Sequence, residues 1–224
     1  ATTEIYTLSL PDALPILLTV VSGGIADALV AHLKFDNDYN DASGRGNHAT
    51  PVNSPAFNAG GRLGQAFQYT TSAGVEQHYA TLGYPEDLQF GSATDFSIAF
   101  WSKIAPGSKS SDPAILGNKN WGSGNNTGYV LGVQGNNNFE WNYREEAPST
   151  RKDFDSTINF TDGEWHHVVF SVQRGVVART IVDGVLVDTR AIVNEGNAPT
   201  SIDTTLAVNI GQDGTGVYDA SITN

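Results

Sequence analysis

The stretch that decides the fold is Asp95–Ile104, "DFSIAFWSKI", read together with 176–192, "VVARTIVDGVLVDTRAI". In the first, Phe96, Ile98 and Phe100 fall on one side and Ala99 and Trp101 on the other, the period of two that belongs to a half-buried strand. The second reads as two strands joined by Asp183-Gly184, a dipeptide suited to the type I′ turn whose twist matches paired strands. Working outward, "LVAHLKF" (29–35), "GYVLGVQ" (128–134), "NFEWNYR" (138–144), "EWHHVVFSVQ" (164–173), "LAVNIG" (206–211) and "GVYDASI" (216–222) all read as strands. Between them lie "GNKNWGSGNNTG" (117–128) and "EEAPSTRKDFDST" (145–157), rich in turn formers and read as loops. No segment sustains an i, i+3, i+4, i+7 apolar stripe, and no internal repeat is visible. Short strands punctuated by turns about every ten residues predict an all-β, antiparallel two-sheet sandwich or barrel.

The N-terminus reads differently. Residues 1–16, "ATTEIYTLSLPDALPI", resemble the conceptual translation of a sequencing adapter with a single departure at Pro11, and are excluded from fold reasoning. The chain contains no Met. Residues 17–28 run from an apolar stretch, Leu17–Val21, to Ala26-Asp27-Ala28, and read as the tail of a secretory signal peptide cut after Ala28, the competing reading being a short buried strand or a loop at the domain edge. The apolar stretch is too short to span a bilayer. The expected domain is 29–224, one sandwich large enough to bury a core without staples.

Composition narrows the function. Cysteine is absent, which removes disulfide frameworks and thiolate metal sites. A net charge of −12 disfavours nucleic acid and anionic membrane surfaces, because phosphate-backbone binding depends on Lys and Arg. The same acidity serves extracellular solubility.

Several segments, in order, resemble laminin-G-like jelly-roll domains: "LVAHLKFDNDYNDASGRGNHAT" (29–50), "GGRLGQAFQY" (60–69), "DFSIAFWSKI", "GEWHHVVFSVQ" (163–173) followed by "IVDGVLV" (181–187), and "LAVNIGQDG" (206–214). The resemblance implies the concanavalin A-like lectin/glucanase fold, with two facing antiparallel sheets, often with calcium, appended to larger secreted or cell-surface proteins. Family members continue through a further strand where this sequence stops within "VYDASITN", so the expectation is a jelly roll lacking its last strand.

Three groups of residues carry candidate chemistry. The run Asp36–Asp41 crowds carboxylate and amide oxygens of the kind calcium takes. It is no EF-hand, since the sixth place lacks Gly and the twelfth is Asn47 rather than Glu. The family resemblance implies Asp36, with Asp38, Asp41 and Asp219, as calcium ligands; the competing reading is an Asx-rich turn whose carboxylates bind backbone N–H groups. Trp165-His166-His167 invites a zinc reading, but successive strand side chains point to opposite faces, so packing is expected. The loop bearing Asn118, Lys119, Asn120 and Trp121, with Tyr129 beyond it, offers aromatic faces and amides of the kind that bind sugars. Trp141 and Tyr143, on one strand face, read as core.

Paired carboxylates for glycoside hydrolysis are not evident. Glu140 and Glu145 are separated by an odd number and should face opposite sheets, and nucleophile-elbow, phosphate-loop and His-Glu-x-x-His motifs are absent. The sequence therefore predicts a non-catalytic, calcium-assisted carbohydrate-binding or adhesion module with a glycan or extracellular protein as partner. The alternatives are a structural or protein-binding spacer and a degenerate hydrolase. Fold analogy alone does not decide among them.

Overall fold

A computed structural model describes residues 25–70, 77–193 and 197–222. The adapter-like segment and residues 17–24 of the signal-like stretch lie outside the described residues. Ile25–Ala28 form one short helical turn, α1. Fifteen strands follow among the described residues. In chain order they are β1 Thr50–Val52, β2 Ala56–Asn58, β3 Ala66–Gln68, β4 Tyr79–Gly83, β5 Phe96–Ser102, β6 Lys109–Ser110 and β7 Ala114–Gly117. Then come β8 Gly128–Val133, β9 Asn138–Arg144, β10 Lys152–Asn159, β11 His166–Gln173, β12 Val177–Val182, β13 Val185–Ala191, β14 Val208–Ile210 and β15 Ser221–Ile222.

Two antiparallel sheets dominate. One has seven strands in the order β1-β4-β14-β7-β8-β9-β10, the other four in the order β13-β12-β11-β5. The predicted alternation sets their inner faces. On the smaller sheet Phe96, Ile98 and Phe100 pair across the ladder with Val172, Phe170 and Val168. On the larger, Tyr129, Leu131 and Val133 stand opposite Tyr143, Trp141 and Phe139. The sheets meet where the Trp141 ring lies 5.0 Å from Phe170 and its indole N–H donates to Thr180 Oγ1 at 2.8 Å, so the buried indole keeps a polar partner. At the β12–β13 turn Asp183 and Gly184 take φ of 51° and 80°, the two positive angles a type I′ turn requires.

Two expectations fail. Residues 145–157 were expected to be a loop, yet their second half is β10. Phe154 and Ser156 point inward from it while Asp153 and Asp155 point outward, so a strand with a polar outer face passes for a loop. Residues 29–35 were expected to be a strand, yet only an isolated bridge joins Leu33 to Asp41. Phe35 and Asn37 adopt positive φ, 55° and 63°, and the Asp41 carboxylate takes the His32 N–H at 2.8 Å, which turns the chain away from the ladder. Of "GVYDASI", only Ser221–Ile222 is strand, paired with β6. No helix among the described residues is long and apolar enough to cross a membrane.

Candidate functional site

The aspartate loop resolves into turn chemistry. Asp41 is buried; its Oδ1 accepts the His32 and Ser43 N–H groups at 2.8 Å each, and Oδ2 accepts Ser43 Oγ at 2.7 Å and the Asn47 N–H at 3.0 Å. Burial works against its charge, but these donors outweigh it and hold the carboxyl well below the usual carboxylate range. Asp38 accepts the Asn40 N–H at 3.0 Å and Asp36 the Gln65 N–H at 2.8 Å; Asp219 is exposed near the other end of the chain. No three His, Cys, Asp or Glu side chains among the described residues gather as a metal site. Both Asp41 oxygens are thus committed to N–H and O–H donors. Asp41→Ala is expected to lower stability by about 2–3 kcal/mol through four lost hydrogen bonds, read from thermal melts of both proteins.

The two histidines separate as strand geometry requires. His166 points inward, with Nδ1 2.7 Å from Asp183 and Nε2 3.2 Å from Asp162, while His167 points outward and lies 4.9 Å from the Trp101 ring.

The loop expected to bind sugar folds over the outer face of the seven-stranded sheet, and most of its polar groups hold it there. Asn118, buried, accepts the Tyr129 N–H at 2.9 Å. Asn120 caps the 3-10 turn Trp121–Ser123 by accepting the Ser123 N–H, and the Asn126 amide donates to the Asn120 carbonyl at 2.8 Å. Lys119, fully buried, donates to the Gly124 carbonyl at 2.8 Å. Burial, then the neighbouring Arg151 and Arg144 cations, lowers its ammonium to about 8. Tyr129 does not belong to the site: it is 1% exposed and packs 5.6 Å from Phe96 between the sheets. Its place in the alternation, beside Leu131 and Val133, carried that signal.

Trp121 is half-buried rather than a free platform. Its indole N–H donates to the Asp112 carbonyl at 2.7 Å, and the Tyr218 hydroxyl donates to Asp112 Oδ1 at 2.8 Å. Two aromatic side chains are thus anchored to one residue. Asp213, wholly buried, ties the loop down: Oδ2 accepts the Trp121 N–H at 2.9 Å, and its carbonyl accepts the Asn209 amide at 2.6 Å. The adjoining Gly214 sits so close that an added Cβ would lie 2.5 Å from the Asn118 carbonyl carbon. Beneath this rim is a buried row that sequence reasoning missed. Glu140 Oε1, Asn142 Oδ1 and Asn209 Oδ1 are buried acceptors with no hydrogen-bond partner.

Register places Glu140 directly opposite Asp155, and Asn142 opposite Asp153, so two carboxyl groups face each other on one sheet surface. Burial, then Asp155 and Asp112, pushes the Glu140 carboxyl up to about 8. Glu145, as the spacing predicts, does not join it: it is buried and accepts the Tyr143 hydroxyl at 2.7 Å.

A sequence profile of the family Laminin_G_3, of the concanavalin A-like lectin/glucanases superfamily, matches residues 74–223. The chain belongs to this laminin-G-like family. No curated protein matches it. Among solved structures the laminin-G-like domain is similar to the binding domain of Paraclostridial Mosquitocidal Protein 1, at 16% identity and a TM-score of 0.63, covering 77% of this chain and 41% of that one. It is also similar to the binding domain of Botulinum neurotoxin DC, solved with rat synaptotagmin II, at 17% identity, TM-score 0.62 and coverage of 84% and 44%. A structure of botulinum neurotoxin type C, whose cell entry depends on two ganglioside molecules, matches at 14% identity, TM-score 0.60 and coverage of 81% and 42%. The laminin-G-like domain thus spans less than half the length of these chains, and likeness at such identities establishes the fold alone.

Proposed function

We propose that this domain is a non-catalytic binding module of a secreted or cell-surface protein, recognising a glycan at the rim formed by Trp121 and Tyr218. The observation that carries the reading is the pair of partly exposed aromatic side chains fixed through Asp112. Pre-set aromatic faces lose little entropy on meeting the C–H face of a pyranose. The toxin binding domains that share the fold, among them one solved in complex with SialylT, lend support by analogy.

A spacer or protein-docking role is favoured by one observation: Asn118, Asn120 and Asn126 are engaged in holding the loop itself. A degenerate hydrolase draws on the Glu140–Asp155 pair, but Glu140 is 6% exposed, too enclosed to reach a glycosidic bond. Capture on immobilised glycans separates these readings. Trp121→Ala is expected to weaken glycan binding at least tenfold, and Trp121→Phe, which keeps a ring, to restore part of it. A folded wild-type chain that retains no glycan would favour the spacer.

A further inference from the structure

Lys119 is 0% exposed, yet its ammonium forms no ion pair among the described residues and donates to the Gly124 carbonyl at 2.8 Å. A buried charge is costly to keep without a counter-charge. Two more cations crowd it through the same piece of chain. Arg144 Nη1 donates to the Asn125 carbonyl at 2.6 Å and Nε to the Ser149 carbonyl at 3.3 Å. The Arg151 guanidinium packs against Gly124, where an added Cβ would lie 2.6 Å from Nη1. Arg151 directly precedes β10, so it comes level with Arg144 at the end of the ladder, next to the pair Tyr143–Lys152. Like charges side by side on a sheet repel.

The carboxylates of the chain do not balance this cluster. Asp153, 2.9 Å from Arg151 Nε, is the only one ion-paired with any of the three among the described residues. Arg144 is half-buried and Arg151 exposed, so a ligand can reach both guanidinium groups while Lys119 adds its charge from beneath. Trp121 opens the same turn three residues before Gly124, about 6 Å along at the rise of a 3-10 turn. Neighbouring units of one oligosaccharide can span the two.

We infer that the glycan taken at the Trp121 rim is an acidic one, its carboxylate bound by Arg144 and Arg151 beside Gly124. The inference rests on the glycan reading of that rim and adds the charge of the sugar. A planar carboxylate meets guanidinium forks with paired, charge-assisted hydrogen bonds, and it brings the counter-charge that Lys119 lacks. Elsewhere a net charge of −12 repels an anion, so the cluster also fixes which way round the sugar docks.

Titration of the full chain with trigalacturonate and with sialyllactose, each beside its own methyl ester, tests it. The ester keeps the sugar and removes the charge. At least one acid is expected to bind at least tenfold tighter than its ester. Arg151→Gln should erase that preference, and Trp121→Ala should weaken acid and ester alike. Arg45→Gln, the same loss of charge in the loop before β1 at the opposite edge of the sheet, should change neither. Acid and ester bound equally, both lost in Trp121→Ala, would overturn the inference and leave the glycan reading standing. A preference for the acid that survives Arg151→Gln would overturn it too, as would a chain that retains other glycans but neither acid. Acid binding that needs Arg151 and ignores Trp121→Ala would overturn the joined site.

Discussion

Arg174→Ala is expected to destabilise the domain by about 3–5 kcal/mol, because it strands a buried carboxylate. Arg174 Nη2 lies 3.2 Å from Glu145 Oε1, with both side chains 1% exposed. The guanidinium also donates to the Gly91 carbonyl at 2.7 Å and the Thr200 carbonyl at 2.5 Å, and Glu145 Oε2 accepts the Thr200 N–H at 2.8 Å. This cluster ties the end of β9 to the β11–β12 turn and to the segment before β14, joining both sheets. Arg174→Lys should recover little, since one ammonium cannot reproduce the fork. In urea melts Arg174→Ala/Glu145→Ala should lose distinctly less than the two single changes summed, the signature of a coupled pair. Additive losses would show that the two side chains act separately.

Glu140→Gln is expected to do the opposite and stabilise. The carboxyl, raised from an ordinary 4.5 to about 8, stays protonated in the folded chain across a range where the unfolded chain has ionised. The folded state therefore holds the extra proton, and stability falls as pH rises from about 4.5 through about 8. Glutamine has no proton to lose. Thermal melts should show the variant about 2–4 kcal/mol more stable at pH 8 and nearly equal to the parent below pH 4.5. His166 adds a decline of the same sign. Burial opposes its charge, but Asp183 and Asp162 raise its pKa above 6.5, so its contribution is complete below that value and lost as pH climbs through the raised one. A shallower slope should therefore persist in the variant, and a slope identical to the parent's would contradict the placement of Glu140.

The strands that build the core were readable because their alternation is local. Phe96, Ile98 and Phe100 announce β5 without any partner, and Asp183-Gly184 announces its hairpin. β10 was not readable: its outward Asp153 and Asp155 face a polar row on β9 rather than solvent alone, so the strand looks like a loop until its neighbour is known. The segment 29–35 failed in the other direction, since its apolar alternation is real but the Asp41 turn removes it from a ladder. The aspartates at 36, 38 and 41 were visible as oxygen-rich, while what their oxygens bind depends on how the turn closes. The Trp121 loop was located by its composition, yet the Asn118 and Asn120 side chains are engaged by backbone N–H groups that hold the loop's own shape. The pairing of Glu140 with Asp155 was beyond reach for a physical reason. Cross-strand register is set by the whole ladder and leaves no trace in either strand.

The most direct test of the binding reading is the set of indole N–H signals of the four tryptophans, followed by heteronuclear NMR as candidate glycans are added. The account predicts that the Trp121 signal shifts on glycan binding while that of core-buried Trp141 stays in place. A glycan that binds without moving Trp121, or a folded chain in which no glycan moves any indole signal, would contradict it.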